Sequence, residues 1–310
     1  MEIFRRRRNE WLAVYLCPMK AIADLIRVKS WIKNGFIFLP LIFSLNLLHL
    51  DLVSHATIAF IAFSLACSFI YVINDWVDAE KDKLHPRKKL RPIPSGKISK
   101  NNALAIALAT LLGSFSLIFF THLPKAFVAI LVVYILLNLA YSFILKRINI
   151  IEFFVVAVNF VFRVLAGCYV IAVNPTSWIL VVSFFLALFL ILIKRKSELV
   201  MLENGAKEHR AVLAHYSQDL LDKFLFVVAT ITITAYLLYT MDAKVQTAWH
   251  TDKILYTSIF VVLGIFRFIQ LSHFKAFEGE GDPTTLLFKD RFTQINLVLW
   301  MTSLIVILYA

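Results

Sequence analysis

Between Asn34 and Ala310 the sequence returns repeatedly to apolar stretches of about 20 residues, the length a helix needs to traverse a hydrocarbon layer. Nine are read: 34–50, 53–74, 103–121, 125–145, 150–172, 177–194, 221–240, 254–272 and 292–310. The first is short and borrows Trp31 and Ile32 to reach full length. In lipid every backbone polar group must be satisfied within the protein, so stretches like these leave helices as the economical solution. Composition agrees: 60% of the residues are hydrophobic and only 17% charged, with a mean hydropathy of +0.77, whereas a soluble domain carries about a quarter charged residues. The expected fold class is all-α, a polytopic membrane protein with nine transmembrane helices.

Residues 20–33 (KAIADLIRVKSWIK) mix apolar and basic positions and are expected to lie in the interface before the chain dives. Residues 1–33 thus form an interfacial segment and 34–310 one helical domain. The N-terminal apolar part is short and lacks a small-residue cleavage site, so no cleaved signal peptide is read. Cys17, Cys67 and Cys168 are isolated and read as small apolar fillers. Most of the 28 Phe are assigned to lipid or packing surface.

The net charge of +12 would point to nucleic acid in a soluble chain. In a membrane chain, topology signals and an anionic lipid surface account for it, and no nucleic-acid partner is expected. The 32 Lys and Arg sort strongly. With the N-terminus inside, the head to Lys33 and the loops at 75–102, 146–149, 195–220 and 273–291 take nearly all of them. Only Lys125, Lys244 and Lys253 fall outside. The large polar loops then face the cytoplasm, and a polar substrate arrives from that side.

The loop after the second run reads YVINDWVDAEKDKLHPRKKLRPIPSG, residues 71–96. Asn74, Asp78 and Asp82 are spaced four residues apart and stack on one face if the helix continues past Tyr71, with Asp75 beside them. Carboxylates crowded this way repel one another unless a cation sits among them. Oxygen ligands without cysteine select a hard cation such as Mg²⁺, which takes one or two carboxylates plus substrate phosphates. The plainer alternative is a solvated helix end with pairs such as Asp78–Lys81 or Asp82–His85. The basic run Arg87, Lys88, Lys89 and Arg91 follows, held as a shaped loop by Pro86, Pro92 and Pro94. Lys88 and Arg91 are favoured as phosphate ligands, although topology alone explains part of the run.

NDWVDAEKD resembles the NDxxDxxxD motif of the UbiA superfamily of intramembrane prenyltransferases. The resemblance covers the whole chain in span count, orientation and motif position. It implies nine helices around a central cytoplasm-facing cavity and a Mg²⁺-chelated diphosphate, with Asn74, Asp78 and Asp82 as metal ligands. Members that prenylate aromatic rings carry a second DxxxD after the sixth span. Here that loop reads KRKSELVMLENGAKEHRAVLAHYS and offers Lys194, Arg195 and Lys196 where a second metal clamp would sit.

Other stretches are similar to the polyprenyl-phosphate phosphoribosyltransferases of the decaprenyl-phosphate type: RVKSWIKNGFIFLPLIFS, YSFILKR, FVFRVLAG, KRKSE and GEGDPTTLLFKDRFTQ. That branch implies phosphoribosyl diphosphate as donor, a polyprenyl phosphate as acceptor, and a multi-pass protein of a bacterial inner (plasma) membrane whose site faces the cytoplasm. It leaves oligomeric state open. Asp78, Asp82 and Lys194 are the expected catalytic groups. Lys33, Asn34, Asn74, Asp75, Lys88, Arg91, Tyr141, Lys146, Arg163, Arg195, Glu198 and Arg267 are the expected substrate-binding residues.

Several of these keep alternatives. Glu198 serves either ribose hydroxyls or an ion pair with Arg195 or Lys194. Arg163 falls mid-span, three turns from Glu152 and too far along the helix to pair with it; a water-filled substrate cavity is preferred over a partner on another helix. The 273–291 loop is read by analogy as a lid using Asp282, Asp290 and Arg291, while Asp290–Arg291 equally suit a cap on the last span. The rivals are prenyl transfer to an aromatic ring, disfavoured by the missing second motif, and a transporter, disfavoured by the lack of an internal repeat.

Overall fold

The computed structural model describes residues 19–84, 88–203, 215–273 and 287–309, with side chains for all of these except 201–203. The ordered elements among them are helical, without a strand. Eight long helices are numbered here α1 (Leu50–Val77), α2 (Lys100–Thr121), α3 (Lys125–Phe143), α4 (Ile151–Val170), α5 (Ser177–Glu203), α6 (Gln218–Met241), α7 (Ser258–His273) and α8 (Arg291–Tyr309). Each is long and apolar enough to cross a membrane, α7 together with the short helix Lys253–Thr257 before it. Each matches one of the expected runs.

The remaining expected run, 34–50, takes a different form. A 3₁₀ helix spans Val28–Phe38, a five-residue α-helix Leu39–Phe43 follows, and the chain then turns, with Leu45 at φ 61°. Pro40 stands in the first turn of that short helix. A proline there is compatible with a helix start but clashes with the carbonyl four residues back, which bars one helix from running through 34–50. Side chains satisfy the exposed backbone groups. Trp249 donates to the Phe43 carbonyl at 2.8 Å, and Tyr309 Oη accepts from Leu47 N at 3.2 Å and donates to the Ile42 carbonyl at 3.0 Å. A second difference is length: α5 runs to Glu203, so KRKSE at 194–198 sits on the helix itself rather than in the loop.

The chain divides into two compact units, residues 1–34 with 60–122 and residues 35–59 with 123–310. The first unit packs Ala21, Leu25, Val72, Ala79, Ile93, Ile98, Ala103 and Ala107 into one apolar cluster. Half of these are alanines, which let backbones approach closely. α2 begins with Ser99, whose side chain accepts from Asn102 N. In the second unit the main cluster joins α4, α5 and α6 through Phe153, Phe160, Phe189, Leu192, Leu221 and Leu225. Gly167 on α4 is needed by the 3₁₀ segment: a Cβ there would sit 2.1 Å from the Ile37 carbonyl oxygen.

Candidate active site

α1 ends at Val77, Asp78 forms a turn, and a short helix resumes over Ala79–Leu84. The helical hydrogen-bond pattern survives this break. Asp78 N donates to the Asn74 carbonyl at 3.0 Å and Asp82 N to the Asp78 carbonyl at 2.9 Å. Asn74, Asp78 and Asp82 therefore occupy successive turns, as their spacing demands. The side chains that become buried are Asp75 and Asp82, at 1% and 4% exposure, while Asn74 and Asp78 are half-buried.

The loop that follows is shaped to meet this acidic face. Ser95 N donates to the Arg91 carbonyl and Ile98 N to the Pro92 carbonyl, both at 3.0 Å, and Gly96 takes φ 76°, a conformation that suits glycine. Ile93 and Ile98 anchor the loop in the apolar cluster beside Val72 and Ala79. Arg91 is thereby aimed at the acids. Its Nη1 donates to Asp75 Oδ1 at 3.0 Å and to Asp82 Oδ2 at 2.6 Å, so two carboxylates converge on one nitrogen. Lys88 Nζ lies 3.9 Å from Asp82 Oδ1. Arg27 also donates to Asp75 and lies over the Tyr71 ring at 4.9 Å.

The electrostatics follow from this crowding. Burial pushes the Asp82 carboxyl up, Arg91 and Lys88 hold it down, and the charges of Asp75 and Asp78 push it up again; it ends above its usual value. Burial works against the Arg27 cation, yet Asp75, Tyr71 and Asp82 outweigh it and raise its pKa. Arg27 has φ 52°, a left-handed backbone uncommon for a side-chain-bearing residue. Among the described residues no three His, Cys, Asp or Glu side chains group closely enough to hold a metal by themselves.

The second unit holds a separate polar cluster at the end of α5. Arg195 is 2% exposed and pairs with Glu152 at 3.2 Å and with Glu198, and its Nη2 reaches Tyr141 Oη at 3.5 Å. The ion-pair alternative for Glu198 is thus the one adopted. Lys196, also buried, pairs with Asp222 at 2.6 Å and lies 2.9 Å from His273 Nε2. Lys194 and Lys146 are half-buried.

Three expected residues have partners within the protein. Arg163 is 3% exposed; it donates to the Asn159 carbonyl at 2.6 Å and to Tyr134 Oη at 3.2 Å, between the rings of Tyr134 and Phe160. Aromatic packing, rather than a water-filled cavity, supports this cation. Asn34 is buried and donates to Ser64 Oγ at 2.8 Å, while Lys33 beside it is half-buried. Arg267 forms a two-pronged pair with Asp290 at 3.1 and 2.6 Å. Asp290 in turn accepts from Thr293 N at 2.9 Å, capping α8 as its position allowed. Of the expected lid, residues 274–286 with Asp282 lie outside the described residues, as do His85, Pro86 and Arg87. Sequence reasoning missed Arg27, 48 positions from its partner Asp75, and the Glu152–Arg195 pair.

Residues 37–292 match the model of the UbiA prenyltransferase family. The chain is 29% identical to a decaprenyl-phosphate phosphoribosyltransferase of Mycolicibacterium smegmatis, over 93% of each chain. It is 28% identical to one of Mycobacterium tuberculosis, over 91% of this chain and 92% of that one. Its fold is similar to that of a UbiA homologue from Archaeoglobus fulgidus bound to GPP and Mg²⁺, with a TM-score of 0.67 at 16% identity, covering 94% of this chain and all of the other. This chain belongs to the UbiA prenyltransferase family.

Proposed function

We propose that this chain transfers a 5-phosphoribosyl group from phosphoribosyl diphosphate to a polyprenyl phosphate, giving a lipid-linked phosphoribose and diphosphate. The observation that carries this reading is the convergence of Asp75 and Asp82 on a single cationic atom, with Lys88 alongside. Two relatives named for that reaction, each similar over more than nine-tenths of the chain, support it.

The donor set fits Mg²⁺. It is all oxygen, and two carboxylates meeting at one point match an ion that binds through one or two carboxylates plus substrate phosphates. Asp82, an expected ligand, and Asp75, which the structure adds in place of Asn74 and Asp78, would be its two carboxylates, and when bound it would supply positive charge against the departing diphosphate. The protein's own part is to orient and to neutralise. Lys88 and Arg91 grip diphosphate oxygens, and Lys194 and Lys146 are proposed as further phosphate ligands. The acceptor phosphate, with a second pKa of about 6, is already an anionic nucleophile at neutral pH. Its oxygen forms the new bond to ribose C1 as the C1–diphosphate bond breaks, without a general base. In this reading the chain crosses a bacterial inner membrane nine times, with residues 28–43 contributing to the first crossing. The N-terminus and the site face the cytoplasm.

The test is purified protein with Mg²⁺, labelled phosphoribosyl diphosphate and a panel of polyprenyl phosphates. Label in the lipid fraction is expected. Lipid incorporation only from a labelled prenyl diphosphate onto an aromatic acceptor would replace this reading with prenyl transfer.

A further inference from the structure

Beside the acidic face, within the first unit, lies a pocket of about 560 Å³ bounded by the helical residues 19–25, by Arg27 and Asp75, and by the loop from Leu90 to Lys97. Its charged lining is Lys20, Asp24, Arg27, Asp75, Arg91 and Lys97, four cations against two carboxylates. We infer that this pocket is a phosphomonoester-binding subsite, in which Lys20, Arg27 and Lys97 take the phosphate.

The imbalance of charge is sharper than the tally. Asp75 is already neutralised by Arg27 and Arg91. Each guanidinium uses one nitrogen on the carboxylates, which leaves other N–H donors of the fork for a second acceptor. Lys20 and Lys97 are exposed, and neither has an ion pair among the described residues. Asp24 alone cannot balance them. A phosphomonoester brings nearly two negative charges and three acceptor oxygens, which matches a fork flanked by point charges. The volume is that of a small-molecule site, with room for the phosphate and part of its carrier. Arg27 stands there on a left-handed backbone, so its placement is imposed by its surroundings.

This rests on the proposed reaction in one respect: donor and acceptor both carry a phosphomonoester, the 5-phosphate and the lipid phosphate. Binding separates the two sources. Detergent-solubilised protein is titrated with ribose 5-phosphate, with ribose as control, and with a short-chain prenyl phosphate carried in the micelle. Wild type is compared with Lys20→Gln/Lys97→Gln, after both are shown to melt at the same temperature. At least one phosphomonoester is expected to bind wild type where ribose does not, and the double variant should bind it about tenfold more weakly. The responding arm names the source. No binding to wild type, or equal binding to both proteins, overturns the subsite. Turnover with an unchanged KM in the double variant would also sink the subsite and leave the proposed function standing; binding lost in an enzyme without transferase activity would do the reverse.

Discussion

Arg91 presents one nitrogen to two buried carboxylates, and its removal leaves each of them one cation short. Breaking a buried pair typically costs about 3–5 kcal/mol. Asp75 keeps Arg27 and Asp82 keeps Lys88, so Arg91→Met is expected to lose less, about 2 kcal/mol, in thermal unfolding. Added Mg²⁺ should raise the melting temperature of this variant more than that of wild type, since the position between the acids is then vacant; equal responses would mean that the ion binds elsewhere. Arg195→Met should be worse, about 3–5 kcal/mol, because Glu152 at 0% exposure loses its guanidinium. Pairing it with Glu152→Gln should recover much of that loss in a double-mutant cycle. Legibility differs between these residues. Asn74, Asp78, Asp82 and Arg91 announce themselves by spacing and by the prolines around them. Arg27 does not, since a lone arginine in an interfacial stretch carries no local sign of a partner 48 residues away. Glu152 was noticed but assigned no partner, because periodicity relates residues within one helix only.

At the level of helices, eight of the nine expected runs were readable because apolar length alone specifies a spanning helix. The 34–50 run differs from one continuous helix because Pro40, Ser44 and Asn46 interrupt it, and side chains from distant helices satisfy its backbone. Its close approach to α4 makes Gly167→Ala a strong test. The added methyl would meet backbone at 2.1 Å, and overpacking of this kind costs about 1–3 kcal/mol. Gly113→Ala, inside α2 with its nearest neighbour the Leu65 side chain at 3.6 Å, should not lower stability in the same melting assay. The cap on α8 offers a pH signature. The hydrogen bond from Arg267 holds Asp290 at about 2, against an ordinary 3.8. A lowered carboxylate pKa stabilises the fold above the ordinary value and ceases to do so as pH falls through the lowered one. Wild type should therefore melt above Asp290→Asn at pH 5, and the gap should close towards pH 2.

For the molecule as a whole, charge asymmetry speaks before any contact does. In a chain whose Cys17, Cys67 and Cys168 are replaced by alanine, cysteine introduced at Lys97 should react with an impermeant thiol reagent in inverted vesicles and not in intact cells; the opposite result would reverse the proposed orientation. The sequence could not reveal that the acidic face is already neutralised from within by arginines on both sides of it in the chain, because that depends on how a loop and a distant turn are folded back upon it. This internal neutralisation separates folding from metallation. Unlike a zinc finger, whose architecture dissolves when its ion is stripped, this protein carries its own counter-charge. A chelator should silence turnover and leave the melting curve where it was. In the proposed reaction a bound ion would need the place Arg91 Nη1 now takes between Asp75 and Asp82, so that arginine would have to turn aside.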